Sequence, residues 1–340
     1  VLIGTAMGRM LEPSKNREAW NRYIMTGGAC AGFSVATGAP LTAILFALEE
    51  VHKRITPMLI LMASTTSLIA AYINQLLCSV FNMNPVLFDT DVLVQISLSE
   101  TGYILLLAII VSLAVGLFDV CVAVFTKWMK KAGKRIPAFV KLLVVFLLTG
   151  IVGLISPKAL YGGRGIIFSI LNGETILSVL ILLFVFRFVM MILTSSSGAT
   201  GGIFVPTLAI GALVGALGAK LLIVIGMPEE LFGTCVLLAM CAFMGGTMRA
   251  PLTAAVFFIE CTAQYTNIFF VGLAVFTVYF ITTLFDRKPF YDMVLEDMFE
   301  QQNHGIKRRI VRFEAQISEH AFVIGKPVRD IMWPHGSIIT

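Results

Sequence analysis

Charge is what this sequence has least of: charged residues make up 13% of the 340-residue chain and hydrophobic residues 58%. An ordinary soluble domain carries about a quarter charged residues. The shortage argues against a water-soluble globule and, with a mean hydropathy of +0.90, places the chain in a lipid bilayer. Histidine is also scarce. His52, His304, His320 and His335 all lie outside the apolar runs, so Ser195, Ser196 and Ser197 have no evident base and an intramembrane enzyme is disfavoured. The six cysteines (Cys30, Cys78, Cys121, Cys235, Cys241, Cys261) are scattered without a C-x-x-C spacing. That leaves no disulfide or metal framework, and they read as small core residues. The net charge is only +5, and the one late basic run, Lys307, Arg308, Arg309 and Arg312, has no interleaved aromatics. It reads as a cytoplasmic flank rather than a nucleic-acid surface. Methionine does not begin the chain and no signal peptide opens it. Val1 stands inside one apolar pattern and Thr340 on another, so the sequence is expected to be a fragment cut at both ends.

What is present is a succession of apolar spans. Residues 1–11 carry Gly4 and Gly8 one helical turn apart, a spacing that favours close helix packing. Residues 20–50 are apolar, broken at Gly38-Ala39-Pro40, and end on Glu49 and Glu50 beside His52, Lys53 and Arg54. Residues 57–80, 102–125, 139–155, 175–193 and 266–285 are further spans. Between them lie an acidic loop with Asp89, Asp91 and Glu100, a basic loop with Lys127, Lys130, Lys131, Lys134 and Arg135, and a turn-rich segment over 156–165. The two basic segments lie two spans apart with the acidic loop between them, the alternation that the positive-inside rule demands. The basic loops are then cytoplasmic and the acidic one external.

Residues 194–218, T-S-S-S-G-A-T-G-G-I-F-V-P-T-L-A-I-G-A-L-V-G-A-L-G, pass from a polar, glycine-rich loop into an apolar helix. Pro206 suits a first helical turn, and Gly201 and Gly202 permit close backbone approach. The amides of Ile203, Phe204 and Val205 would face the space ahead of the helix, where they and the helix dipole attract an anion. The plainer reading is a simple helix start after a loop.

An internal repeat is the most informative feature. A-P-L-T-A-I-L-F-A-L-E-E over 39–50 matches A-P-L-T-A-A-V-F-F-I-E-C over 250–261, with seven of the twelve positions identical. Upstream, I-G-T-A-M-G from Ile3 pairs with I-G-A-L-V-G from Ile210. The first copy ends beside His52-Lys53-Arg54, the second a full span before Asp286-Arg287-Lys288-Pro289. Equivalent ends on opposite sides make the repeat inverted, as in transporters whose site lies between the halves. The fold class expected is an all-α polytopic membrane protein with broken helices.

These residues resemble the CLC family of chloride channels and proton/chloride exchangers. G-G-I-F-V-P at 201–206 resembles the family's G-x-F-x-P anion motif, and K-P-F-Y at 288–291 its tyrosine segment. V-L-I-G-T-A-M-G-R-M at the start resembles the stretch just after the family's G-[KR]-E-G-P motif. The resemblance covers the chain to about Gln302 and implies chloride transport across a cell membrane by a homodimer, without cofactor or metal. It implies that the backbone amides of Ile203 and Phe204 and the hydroxyl of Tyr291 bind chloride, with Gly202 and Pro206 shaping the loop. Glu50 matches the internal proton glutamate of the exchangers, which makes proton/chloride antiport the leading expectation and a passive, gated chloride channel the alternative. The plainer reading of Glu50 is an interface charge paired with Lys53 or Arg54, and of Tyr291 an interfacial aromatic beside Lys288. The family's serine loop and gating glutamate would precede Val1.

Residues 1–303 thus read as a transmembrane domain. Over 304–340 the character changes: I-V-R-F-E-A-Q-I-S alternates like a strand, and F-V-I-G-K-P-V-R-D-I-M-W-P-H-G-S-I-I resembles the start of an RCK-type regulatory domain. This tail is expected to be cytoplasmic and α/β.

Overall fold

Proline and glycine punctuate the apolar pattern at the positions where the helices of the computed structural model start and stop. It describes residues 17–83, 88, 93–133, 138–155, 157, 160, 162–173, 176–197, 202–285, 290, 292–293 and 324. Among them are eleven α-helices and no strand. Gly4, Gly8, Asp89, Asp91, Lys134, Arg135, Gly201, Lys288, Tyr291 and, apart from Ile324, the whole tail lie outside the described residues. The chain divides into two units, residues 1–89 with 260–263 and 306–340, and residues 90–259 with 264–305.

In the first unit the break at Gly38-Ala39-Pro40 is realised. Helix α1 (Arg17–Thr37) ends, Gly38 takes φ 67°, and Pro40 opens the short α2 (Pro40–Phe46). A π-turn, Ala47–Val51, continues α2, and α3 spans Pro57–Val80. Thr56 caps α3 by accepting from the Leu59 amide at 3.3 Å, with Pro57 in the first position, where its missing N–H is harmless. The core is made of small side chains: Cys30, Ala43, Ala47 and Ala63. Small residues let backbones approach, and hydroxyls then join them. Ser34 Oγ donates to the Ser67 carbonyl at 3.1 Å, and Ser67 Oγ to the Pro40 carbonyl at 2.9 Å. The other side of α3 is bare apolar surface, with Ile69, Ile73, Leu76, Leu77 and Val80 all exposed, as suits a helix in lipid.

The second unit holds α4 (Thr101–Gly133), α5 (Ala138–Ile155), α6 (Arg164–Leu171), α7 (Leu177–Ser196), α8 (Phe204–Val224), α9 (Phe232–Met248), α10 (Pro251–Thr262, whose last turn counts with the first unit) and α11 (Ile268–Leu284). Three of these differ from expectation: α9 forms where no span is expected, although its residues are apolar enough to cross a membrane. Helix α4 runs on past its apolar stretch, so Lys127, Lys130 and Lys131 are helical rather than in a loop; lysine is a good helix former and needs water, not a break. Helix α6 is too short to give a span signal, and Gly163 introduces it at φ 100°. Arg187 of α7 braces that turn by donating to the Leu160 carbonyl at 3.1 Å.

Five stretches are long and apolar enough to cross a membrane: Pro57–Val80, Leu98–Trp128, Leu177–Ser196, Phe204–Val224 and Glu229–Met248. The last is 94% buried against 17% for the first, so α9 is core and α3 periphery. Helix α9 packs on α4, α8 and α11. Gly211 and Gly215 make the α8 contact close: a Cβ on Gly211 would stand 2.9 Å from the Met240 Cα, and one on Gly215 2.7 Å from the Ala239 Cβ. At the end of α9, Arg249 takes φ 57° as C-cap and lies 3.9 Å from Asp119 of α4. Removing one member of a buried pair costs roughly 3–5 kcal/mol, because the other charge is stranded. The segment before α4 is pinned by polar side chains. Asn267 accepts from the Ile96 amide and donates to the Val94 carbonyl, both at 3.0 Å, while Thr234 accepts from the Val94 amide at 3.0 Å. Glu100 closes a capping box with Ser97.

Gly211→Val is expected to destabilise by roughly 1–3 kcal/mol through overpacking of α8 on α9. Gly32→Ala, at a position on α1 with nothing within 4 Å of the new methyl, should be neutral or slightly stabilising. Thermal unfolding of the two variants in detergent, followed by size-exclusion recovery, measures the difference.

Candidate functional site

Helix α8 begins with Phe204, and Ile203 is its N-cap with φ −99° and ψ −14°. Pro206 falls in the first turn, as expected. The first amides of any helix have no acceptor within it. Here Pro206 contributes no N–H, and Ile203, lacking a polar side chain, supplies no side-chain cap. The earliest backbone bond of the helix runs from the Thr207 amide to the Ile203 carbonyl at 3.1 Å. Burial changes abruptly along this turn: Gly202 is exposed, Ile203 to Pro206 are partly exposed, and every residue from Thr207 to Ala216 is buried. The first turn of the helix, its positive end, thus lies outside the core, as does its last turn, where Leu221 and Val224 are exposed. Among the described residues, nothing comes within 4 Å of a Cβ built on Gly202.

Neighbouring side chains hold this end in place. The Phe204 ring packs edge-on against buried Phe257 of α10, with centroids 5.2 Å apart. Gly162 is close enough that a Cβ there would be 3.1 Å from Val205 Cγ1, and one on Gly163 would be 2.4 Å from the Ala209 Cβ. The turn that Arg187 braces therefore lies directly on the first turns of α8. Tyr291 is outside the described residues, but its neighbour Phe290 is fully buried. The Phe290 ring meets Phe118 of α4 edge-on at 5.1 Å, and Phe118 in turn meets Phe188 and Phe243. An aromatic cluster thus holds Phe290. The hydroxyls of Ser195 and Ser197 donate back to the carbonyls of Met191 and Thr194.

Glu50 lies in the first unit, on the π-turn, and is buried at 3% exposure, while Lys53 and Arg54 are exposed. Irregular π-turns recur at functional positions, and the sequence gives no sign of this one. The repeat does explain the other glutamate. Glu260, the mate of Glu49, accepts from the Leu41 amide at 2.8 Å, the Thr42 amide at 2.7 Å and the Thr42 hydroxyl at 2.7 Å. Helix α2 starts after Ala39, which has no side-chain acceptor of its own. A carboxylate from far along the chain takes the place of the missing cap. Sequence reasoning saw Glu260 only as a repeat position; the signal was the A-P-L-T start, a helix beginning with no Ser, Thr, Asp or Asn before it.

A sequence profile for the family described as voltage gated chloride channel matches residues 1–283. Among curated proteins, the H(+)/Cl(-) exchange transporters ClcA of Salmonella arizonae and Salmonella paratyphi B are each 30% identical over 318 residues, covering 89% of this chain and 65% of theirs. The chain therefore spans about two-thirds of the length of the curated relatives it matches. Among solved structures, a slow cyanobacterial Cl-/H+ antiporter superposes with TM-score 0.73 at 24% identity, over 88% of this chain and 71% of the other. A CLC-type fluoride/proton antiporter gives 0.63 at 21%, over 82% and 68%. The fold is that of these proteins, with its inverted repeat.

Glu260→Leu is expected to remove three acceptor contacts from the start of α2 and to destabilise by about 1–2 kcal/mol, the range of a lost helix cap. Hydrogen exchange should show the loss of protection centred on the Leu41 and Thr42 amides. Protection unchanged at those two amides would show that Glu260 does not hold the helix end.

Proposed function

We propose that this chain, which belongs to the voltage-gated chloride channel (CLC) family, serves in the exchange of chloride for protons across a membrane. The curated relatives carry the name of exchange transporters, so we read the chain as a carrier of ions and not as an enzyme. The observation that carries the proton half is Glu50: a carboxylate 3% exposed on an irregular turn, in a membrane protein that spends few charges elsewhere. Ionisable groups held inside membrane proteins are expensive, and they usually sit on proton or ion routes. The chloride half rests on the start of α8, whose amides and dipole favour an anion, with no side-chain cap at Ile203. In this reading the Ile203 and Phe204 amides hold chloride, the Tyr291 hydroxyl is a further donor, and Gly202 and Pro206 set the shape of the turn. Neutral donors suit a transport site because they bind an anion without trapping it. A lysine there would hold the ion too tightly to release it. Residues 1–303 would form the transmembrane domain of a homodimer in the cell membrane, and 304–340 a cytoplasmic tail that opens a regulatory α/β domain.

The full-length protein, reconstituted in liposomes, should show a chloride reversal potential that moves with an imposed pH gradient. A reversal potential that ignores the gradient would identify a passive channel instead. Glu50→Gln should abolish chloride-driven proton uptake while chloride continues to pass. Tyr291→Phe removes one neutral hydrogen bond, worth about 0.5–1.5 kcal/mol, so calorimetry should find chloride bound roughly two- to tenfold more weakly.

A further inference from the structure

We propose that Arg187 is a positioning residue for the anion end of α8: its buried guanidinium holds the 160–163 turn against the first two turns of that helix and so sets chloride affinity. This rests on the chloride half of the reading above. Arg187 lies near the middle of α7, a 20-residue stretch apolar enough to cross a membrane, and is only 8% exposed. A cation at that depth is expensive in a membrane protein, and such groups usually serve an ion route.

The contacts run in one line from α7 to α8. Arg187 Nη2 donates to the Leu160 carbonyl at 3.1 Å. Three residues on, Gly163 at φ 100° is where guanidinium, turn and helix meet. A Cβ built there would stand 2.7 Å from Nη2, 3.2 Å from Cζ and 2.4 Å from the Ala209 Cβ. A Cβ on Gly162 would stand 3.1 Å from Val205 Cγ1. Val205 and Ala209 are four residues apart and share one face of α8, a face that begins in the same turn as Phe204. With no Cβ at Gly163, the guanidinium, the turn and α8 are in direct apposition. Loss of the guanidinium leaves room into which the turn, and the start of α8 resting on it, can shift. A plain staple would not need a charge. Elsewhere the protein pins carbonyls with neutral groups, Ser67 on Pro40 and Asn267 on Val94. Helices α6, α7 and α8 carry no acidic residue of their own. The charge that Arg187 brings to their junction therefore has the same sign as the start of α8.

The test uses full-length protein in liposomes, with initial chloride flux measured by electrode across a range of chloride concentrations. It separates the KM for chloride from the maximal rate, which a defect in folding alone would lower without moving KM. Arg187→Met keeps an apolar stem and loses both donor and charge. Its KM should rise about tenfold, the scale on which losing a hydrogen bond from a charged group is felt, while the maximal rate falls far less. Arg187→Lys keeps the charge and a donor without the planar fork, and should raise KM less. Gly162→Ala leaves the arginine in place and presses on Val205; its KM should shift about twofold, because a binding turn must be held to within about 0.5 Å. Should Arg187→Met not fold, the other two variants decide. An unchanged KM in every folded variant, or a loss confined to the maximal rate, would overturn the positioning role while leaving chloride transport standing. A wild-type protein that carries no chloride would overturn the reading on which it rests.

Discussion

A helix that begins among buried residues has only protein, or a bound ion, to meet its first amides. Lipid offers no hydrogen bond, so each unmet amide costs several kcal/mol. The apolar spans here are broken, and the breaks create such ends. Helix α2 starts at Ala39 and Pro40, where Ala39 and Thr42 have no exposure at all, and its end is met by the Glu260 carboxylate. Helix α8 starts at Ile203 in a turn that is partly exposed, and Ile203 itself supplies no side-chain cap. One end is closed by a fixed negative charge; the other has the same preference for negative charge and no side-chain carboxylate at its cap. On the exchange reading, this second kind of end is the one that would receive the anion.

Keeping helix ends inside the protein requires helices to approach closely, and the sequence supplies the small residues to allow it. Gly211 and Gly215 bring α8 onto α9, and Cys30, Ala43, Ala47 and Ala63 fill the first unit's core. With lipid tails as apolar as leucine, this contact rather than hydrophobic exclusion holds the helices together. Polar groups then act as local fasteners: Ser34 and Ser67 in the first unit, Asn267 and Thr234 at the 94–96 segment, Arg249 with Asp119 at the end of α9. Large aromatic rings gather instead around Phe118, against which Phe290 packs.

The legible parts of this fold were those written in local chemistry. The Gly38-Ala39-Pro40 break, the 57–80 span and the first turn of α8 at Pro206 all derive from proline, glycine and hydropathy, and the structure places each accordingly. The π-turn at Ala47–Val51 could not be read, because π and α turns use the same residues and differ only in what surrounds them. Helix α6 was missed for being shorter than a span, and the end of α4 was misjudged because charge marks the edge of lipid, not the end of a helix. The Glu260 cap joins residues 218 positions apart, a pairing that no local pattern contains. Its existence could still be suspected from a helix start without a cap.

The repeat gives the two glutamates of the first copy different standing. Glu49 has a mate in Glu260, and Glu260 is bound to a helix end by three contacts of 2.7–2.8 Å. A carboxylate so placed is needed as an anion; protonation would cost it acceptor strength toward both amides, so it is poorly suited to carry protons. Glu50 is opposite Cys261 in the repeat and therefore has no counterpart under any symmetry that relates the copies. A duplicated structural carboxylate beside a single unduplicated one separates two jobs that adjacent identical residues would otherwise confuse. On the exchange reading, the proton route cannot be symmetric even though the fold is. The buried acid that would load protons belongs to one copy of the repeat alone.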